Sequence, residues 1–302
     1  MSIPGNLTTG LIDAHVHLYE TQSGYPQESS SHKDGDIAPE PNPIPQVDPC
    51  TIDPHRFTHE ELLKHCTPHG VSRIVLIQMI HHGEDNSDLL ERIQRHPETF
   101  RGVAVVDHRR PETPQQMTAL LAQKVTGFRL YGIDPRQVEQ WLHSDPMNAM
   151  WSHAAETGQA ICPLMEPDAL TSLRKMVERH PDTRVVIDHM ARIGMARPIQ
   201  QAQIDDLCRL AAFPNVFVKT SAFYALGEKR PPYLDLQHLI RQLYDAFGPH
   251  RLMWGSDSPF QVEKGHTYAD SLALIRDRLD FLSPDDKQWL LSKTAENVYW
   301  FL

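Results

Sequence analysis

The 302-residue sequence predicts one (β/α)₈ barrel, and three observations carry the prediction. Short apolar runs alternate with helical stretches along the chain, and after the long first loop the runs begin roughly 25 to 35 residues apart, the length of a strand–helix unit. The runs are apolar throughout, as expected for parallel strands buried on both faces. Eight such units argue for a closed barrel over an open doubly wound sheet. No Gly-x-Gly-x-x-Gly follows the first strand, which removes the main signature of a dinucleotide-binding fold. The expected domain is 1–302, with an inserted loop at 19–56.

The first strand is read in LIDAHVHL, 11–18. The stretch 19–56 then carries Pro26, Pro39, Pro41, Pro43, Pro45, Pro49 and Pro54, which excludes helix and central strand. So long a loop is expected to be a functional lid or a disordered insertion. Thr58-His59-Glu60-Glu61 is a capping box opening a helix through His65. Strand 72–79 (SRIVLIQM) follows, then helix 86–96, stopped by Pro97, and strand 100–107 (FRGVAVVD). Thr113-Pro114-Gln115-Gln116 offers an N-cap, a proline at the first helical position and a capping-box Gln. That helix leads to strand 125–133. Two helical pieces divided near Asp145-Pro146 precede strand 160–165 (AICPLM). Helix 168–180, strand 184–190, helix 203–212 and strand 215–222 come next. Helix 233–247 ends at Gly248 before strand 251–257 (RLMWGSD), and two helices close the chain, the second opening at Ser283-Pro284.

Composition narrows the function classes. Hydrophobic content of 40% and charged content of 23% suit a globular protein with a large core. A formal net charge of −10, without any Lys/Arg run, argues against a nucleic-acid partner. The first ten residues lack the basic and apolar regions of a signal peptide, and no apolar run is long enough to span a membrane. Cys50, Cys66, Cys162 and Cys208 show no Cys-x-x-Cys spacing, which fits a reducing cytoplasm better than a disulfide framework. The expected partner is a small-molecule substrate.

Barrel enzymes carry their chemistry at the C-terminal ends of the strands. The first strand ends in His15 and His17, two apart and therefore on one face. Strand four offers Arg129, strand six Asp188 and His189, strand seven Lys219 and Ser221, and strand eight Asp257 after Trp254-Gly255-Ser256. Each has a plainer reading. Asp257 suits a turn, His189 a hydrogen-bonded core, Arg129 a buried ion pair, Lys219 a snorkelling side chain, and Trp254 packing between barrel and helices. Convergence on one barrel mouth favours a site.

The segments DAHVH, VIDHMAR, NVFVKTSAFYAL, RLMWGSDSPF and KTAENVYWFL resemble the amidohydrolase superfamily, in the branch of aromatic decarboxylases and pyrone-dicarboxylate-lactonase-like hydrolases. The resemblance spans the chain apart from the proline-rich loop. It has two departures. The metal-dependent decarboxylases carry a histidine at the end of strand five, where this chain reads AICPLMEPD, with Cys162 and Glu166. The lysine of two-metal members falls at strand four, where Arg129 stands. A binuclear site is therefore not expected. The resemblance leaves two options: one Zn²⁺ or Mn²⁺ on His15, His17 and Asp257, with Glu166 or His189 nearby, or a metal-free site in which His15 and His17 polarise a carbonyl.

The implied reaction is hydrolysis of a lactone or related cyclic ester, one bearing a carboxylate. Asp257 would be the general base, and His15, His17 and His189 would stabilise the oxyanion. Arg129 would bind the substrate carboxylate, with Lys219 serving the same anion and Tyr131 and Arg192 as further contacts. His32, Lys33 and His55 of the long loop are candidate contacts, each with the plainer reading of a solvated loop residue. The alternatives are metal-dependent decarboxylation of an aromatic or unsaturated acid and a non-catalytic ligand-binding barrel. A homodimer is expected from the resemblance alone.

Overall fold

In the computed structural model the described residues are 10–20, 54–195 and 198–301. Eight apolar segments form the strands: β1 (Leu11–Val16), β2 (Val71–Ile77), β3 (Phe100–Ala104), β4 (Val125–Gly132), β5 (Ala160–Met165), β6 (Val185–Ile187), β7 (Val216–Thr220) and β8 (Leu252–Trp254). They make one sheet in sequence order with every neighbouring pair parallel. The ring closes between β1 and the segment after β8. There the Asp257 N–H donates to the His15 carbonyl at 2.8 Å, and the His17 N–H donates to the Ser258 carbonyl at 2.8 Å.

Strand alternation divides the apolar residues into two layers. Ile12, Ala14, Val75, Ile77, Val103, Cys162, Val186 and Met253 fill the barrel interior and meet Tyr299 of the final helix. A larger layer, including Leu76, Phe128, Ile187, Val218 and Trp254, packs between the sheet and the helices. A register irregularity between Asp13 and Val16 re-aims the end of β1, as bulged strands do near active sites.

The helices begin where their sequences supply caps. Thr58 and Glu61 form a reciprocal capping box on the helix His59–Cys66, Ser144 caps the helix Asp145–Thr157, and Ser283 with Asp286 boxes the helix Pro284–Gln288. The cap expected at Thr113 is not formed. Thr113 lies inside the helix Thr113–Leu121, and its hydroxyl donates to the Asp107 carbonyl at 2.7 Å, so it is spent on fixing the loop after β3. Strands six and eight are also shorter than expected. β6 stops at Ile187 because His189, Met190, Ala191 and Arg192 are left-handed, with φ of 52°, 52°, 51° and 58°, and β8 stops before Asp257, at φ 63°. Non-glycine residues avoid this region, and clusters of them mark functional loops.

Tyr19 pairs antiparallel with Phe57, and the Tyr19 hydroxyl donates to the Pro54 carbonyl at 2.8 Å. Most of the expected loop, with His32 and Lys33, lies outside the described residues; His55 is exposed. Cys66, Cys162 and Cys208 are free thiols. No helix among the described residues is long and apolar enough to cross a membrane.

Candidate active site

The C-terminal ends of β1, β4, β6, β7 and β8 converge on one mouth. His15 and His17 face each other with Nε2 atoms 3.3 Å apart. Asp257 Oδ1 lies 3.5 Å from His15 Nε2 and 3.4 Å from His17 Nε2. Its other oxygen, Oδ2, accepts a hydrogen bond from the Tyr224 hydroxyl at 2.8 Å and stands 3.8 Å from His189 Nε2. The carboxylate is thus divided between two environments, one oxygen on the paired imidazoles and one on a phenol.

The imidazoles are oriented from behind. His17 Nδ1 lies 2.9 Å from the Ile77 carbonyl. A carbonyl only accepts, so Nδ1 carries the proton, and in neutral His17 Nε2 presents a lone pair to the mouth. His15 Nδ1 stands 3.3 Å from both Asp188 Oδ1 and Lys219 Nζ. His189 Nδ1 is 2.8 Å from the Ser221 hydroxyl. Burial, then Lys219 and His189, hold the His15 pKa well below its ordinary value against the pull of Asp188. Burial likewise lowers His189 to about 4, against the opposing pull of Asp257. Burial works against ionisation of Asp257, but His189, His17 and His15 outweigh it and keep the carboxyl well below the usual range. At neutral pH the mouth therefore holds neutral imidazoles at His15 and His189 beside an ionised Asp257. Burial and the adjoining Asp257 push the Tyr224 pKa well above ordinary, so its hydroxyl stays protonated.

Beneath this lies a buried charge cluster. Asp188 Oδ1 is 3.0 Å from Lys219 Nζ and Oδ2 is 3.1 Å from Arg129 Nη1, with the Asp188 and Lys219 side chains fully buried. Asp188 is held by charge and not by aligned hydrogen bonds. Burial alone would raise its pKa, but Lys219, Arg129 and His15 hold it well below the usual carboxylate range. Two cations against Asp188 and Asp257 leave these four charges balanced.

Two expected roles change with this placement. Lys219 is sealed inside, spent on Asp188 and 3.3 Å from His15 Nδ1, so it cannot touch a substrate anion. Glu166 is paired with Arg192, Oε1 to Nη1 at 2.6 Å, and stands apart from the group of His15, His17 and Asp257. Arg129 occupies the ion pair that was its plainer reading, with Nη1 3.4 Å from His15 Nε2 and Nε without a partner. Its guanidinium lies 5.6 Å from the Tyr131 ring centroid. Trp254 packs beneath the helices, its Nε1 donating to the Ser271 hydroxyl at 3.2 Å.

A cavity of about 240 Å³ opens over the mouth. His17, Arg129, Tyr131, His189, Arg192, Tyr224 and Asp257 line it, against an apolar wall that includes Met79, Leu164 and Phe260. Tyr224 was not legible as a site residue. It sits in the quoted segment NVFVKTSAFYAL, but only the left-handed turn at Ala222 (φ 56°) points it at Asp257. Asp13 was missed too: it lies behind the mouth, accepting from the Ser256 N–H and the Tyr268 hydroxyl, both at 2.8 Å.

The mouth suits one divalent ion. Ligand atoms about 2.0–2.2 Å from a tetrahedral metal lie about 3.3–3.6 Å from one another. The spacings among His15 Nε2, His17 Nε2 and Asp257 Oδ1 are 3.3, 3.4 and 3.5 Å. Two imidazoles and a carboxylate are a donor set for zinc or manganese, and the Ile77 carbonyl and Asp188 supply the outer support such histidines need.

Comparison with known proteins gives the family and the fold. The amidohydrolase family model matches residues 12–301. An L-fucono-1,5-lactonase from Burkholderia ambifaria is 29% identical over 299 residues, covering 95% of this chain and 94% of that protein. A 2-pyrone-4,6-dicarboxylate hydrolase from Comamonas testosteroni is 24% identical, covering 97% and 91%. A crystal structure of an amidohydrolase from Burkholderia multivorans with bound zinc superposes with a TM-score of 0.80 at 20% identity, covering 96% of this chain and 99% of that one.

Proposed function

The chain belongs to the amidohydrolase family, and from that premise we propose that it opens a lactone or related cyclic ester with water activated by Asp257. The division of the Asp257 carboxylate supports this most strongly: one oxygen sits on the two β1 imidazoles while the other accepts from Tyr224, and both residues line the cavity. The names of the relatives, a fuconolactonase and a pyrone-dicarboxylate hydrolase, support the same reaction.

A water held beside Asp257 gives up its proton to the carboxylate as it attacks the substrate carbonyl. The oxyanion that forms meets His189, whose Nδ1 is held by Ser221, with the Arg129 guanidinium lining the same cavity. One well-placed donor of this kind contributes about 2.7–4 kcal/mol to the barrier. Arg129 binds a substrate carboxylate only through the edge that Asp188 leaves free, with Tyr131 and Arg192 lining the same cavity.

His15, His17 and Asp257 would hold a single zinc or manganese ion, which when bound supplies Lewis-acid polarisation of the carbonyl. The contact of His17 Nδ1 with the Ile77 carbonyl, which leaves Nε2 as the nitrogen turned to the mouth, supports this. The zinc in the Burkholderia multivorans structure is in line with it.

A weakly buffered pH-indicator assay tests the reading. Hydrolysis of a neutral lactone releases a proton, whereas decarboxylation of a carboxylate consumes one. We expect acidification with members of a lactone panel, and about one zinc or manganese per chain by elemental analysis of protein purified without chelator. Inert lactones together with alkalinisation by an aromatic acid would replace this reading with the decarboxylase.

A further inference from the structure

We propose that Tyr224 is the general acid that protonates the departing ring oxygen, a role resting on the lactone-opening reading above. Its hydroxyl donates to Asp257 Oδ2 at 2.8 Å, and both residues line the same cavity. The residue is aimed from outside the strand. β7 ends at Thr220, Ala222 takes a left-handed conformation, and a single turn over Phe223–Ala225 carries the ring across the mouth. There the ring lies 6.2 Å from Phe260 and 6.0 Å from His266, ring centre to ring centre. A tyrosine merely filling space in this apolar wall has no need to place its hydroxyl on the one carboxylate shared with His15 and His17.

The proton balance closes through that contact. Asp257 takes a proton from the attacking water as the carbon–oxygen bond to the nucleophile forms. When the tetrahedral intermediate collapses, the ring C–O bond breaks and its electron pair goes to the ring oxygen, which takes the Tyr224 proton. The phenolate then recovers a proton from the Asp257 carboxyl across the 2.8 Å hydrogen bond. One water is consumed, the product is the hydroxy acid, and both residues return to their starting states. Within the mouth Tyr224 suits this step better than His189, whose Nε2 is 3.8 Å from the carboxylate that must resupply the proton.

The test is Tyr224→Phe assayed on two lactones that differ in the basicity of the leaving oxygen. δ-Valerolactone departs as an alkoxide and needs a proton; dihydrocoumarin departs as a phenoxide and needs it far less. General-acid assistance is worth about 10²- to 10⁴-fold. We therefore expect kcat to fall at least about 100-fold on δ-valerolactone and about tenfold or less on dihydrocoumarin, with KM little changed. Any misfolded fraction lowers both rates alike, so the ratio of the two losses is independent of folding. Equal losses on the two lactones would overturn the proposal, leaving Tyr224 as a residue that positions Asp257, and so would no loss on either. Wild-type protein inert toward these two and toward the rest of the lactone panel would instead overturn the lactone-opening reading, and this proposal with it.

Discussion

Replacing Asp188 with Asn removes the anion shared by two buried cations, and the cost follows from the distances. Lys219 Nζ at 3.0 Å and Arg129 Nη1 at 3.1 Å each attract the carboxylate by about 5 kcal/mol at an effective dielectric constant of 20. Most of that offsets the desolvation of the three charges, so the intact cluster adds little net stability. Its rupture does not cancel. Lys219 is fully buried and Arg129 nearly so, and an unpaired buried charge costs about 3–5 kcal/mol. For a chain of this length we expect Tm to fall by about 6–10 °C, at about 2 °C per kcal/mol. Urea unfolding followed by fluorescence of the buried Trp151 and Trp254 measures the change. The double variant Asp188→Asn, Lys219→Met removes a cation together with the anion and should be more stable than Asp188→Asn alone, a coupling that a double-mutant cycle isolates. If Asp188→Asn cost less than about 1 kcal/mol, or the two substitutions were additive, the cluster would not be the buried, mutually dependent unit described here.

Two further perturbations probe the support of the site. A Cβ added at Gly255 would lie 2.8 Å from His15 Cβ and 3.0 Å from the His15 backbone nitrogen, so Gly255→Ala should displace His15. We expect a loss of about 1–3 kcal/mol in unfolding experiments and a larger proportional loss of lactone turnover, with wild-type turnover refuting the contact. At the mouth of β3, hydrogen bonds from Arg109 lower the Asp107 pKa from 3.8 to about 2, against the opposing effect of burial. The folded-state value lies below the unfolded one. The contribution is therefore present above about pH 4 and is lost as pH falls toward 2. Asp107→Asn should cost on the order of 1 kcal/mol at pH 7, discounted because Arg109 is partly exposed, and should flatten the acid limb of stability against pH. An unchanged acid limb would show that the pair contributes nothing.

Much of the architecture was legible because barrel strands carry their own signal. Runs such as SRIVLIQM and AICPLM are apolar on both faces, and Thr58, Ser144 and Ser283 mark helix starts by side-chain chemistry alone. The ends of β6 and β8 were not legible, since nothing in the letters DHMAR or GSD announces left-handed backbone at His189 or Asp257. At the mouth, His15, His17, His189 and Asp257 could be read from strand position. The pairing of Arg129 and Lys219 through Asp188 could not, because it joins β4, β7 and the turn after β6 in the barrel interior. Thr113 shows the converse failure: a sound local capping signal lost to a tertiary partner, the Asp107 carbonyl.

Asp257→Asn bears most directly on the whole account. Asparagine keeps the shape of the side chain and can still accept from Tyr224, but it cannot take a proton from water. Measured on the best lactone of the panel, kcat should fall about 10²- to 10⁴-fold while the unfolding midpoint stays near that of the wild type. Turnover within a few fold of wild type would contradict the assignment of Asp257 as the base and, with it, the proposed chemistry of the barrel mouth.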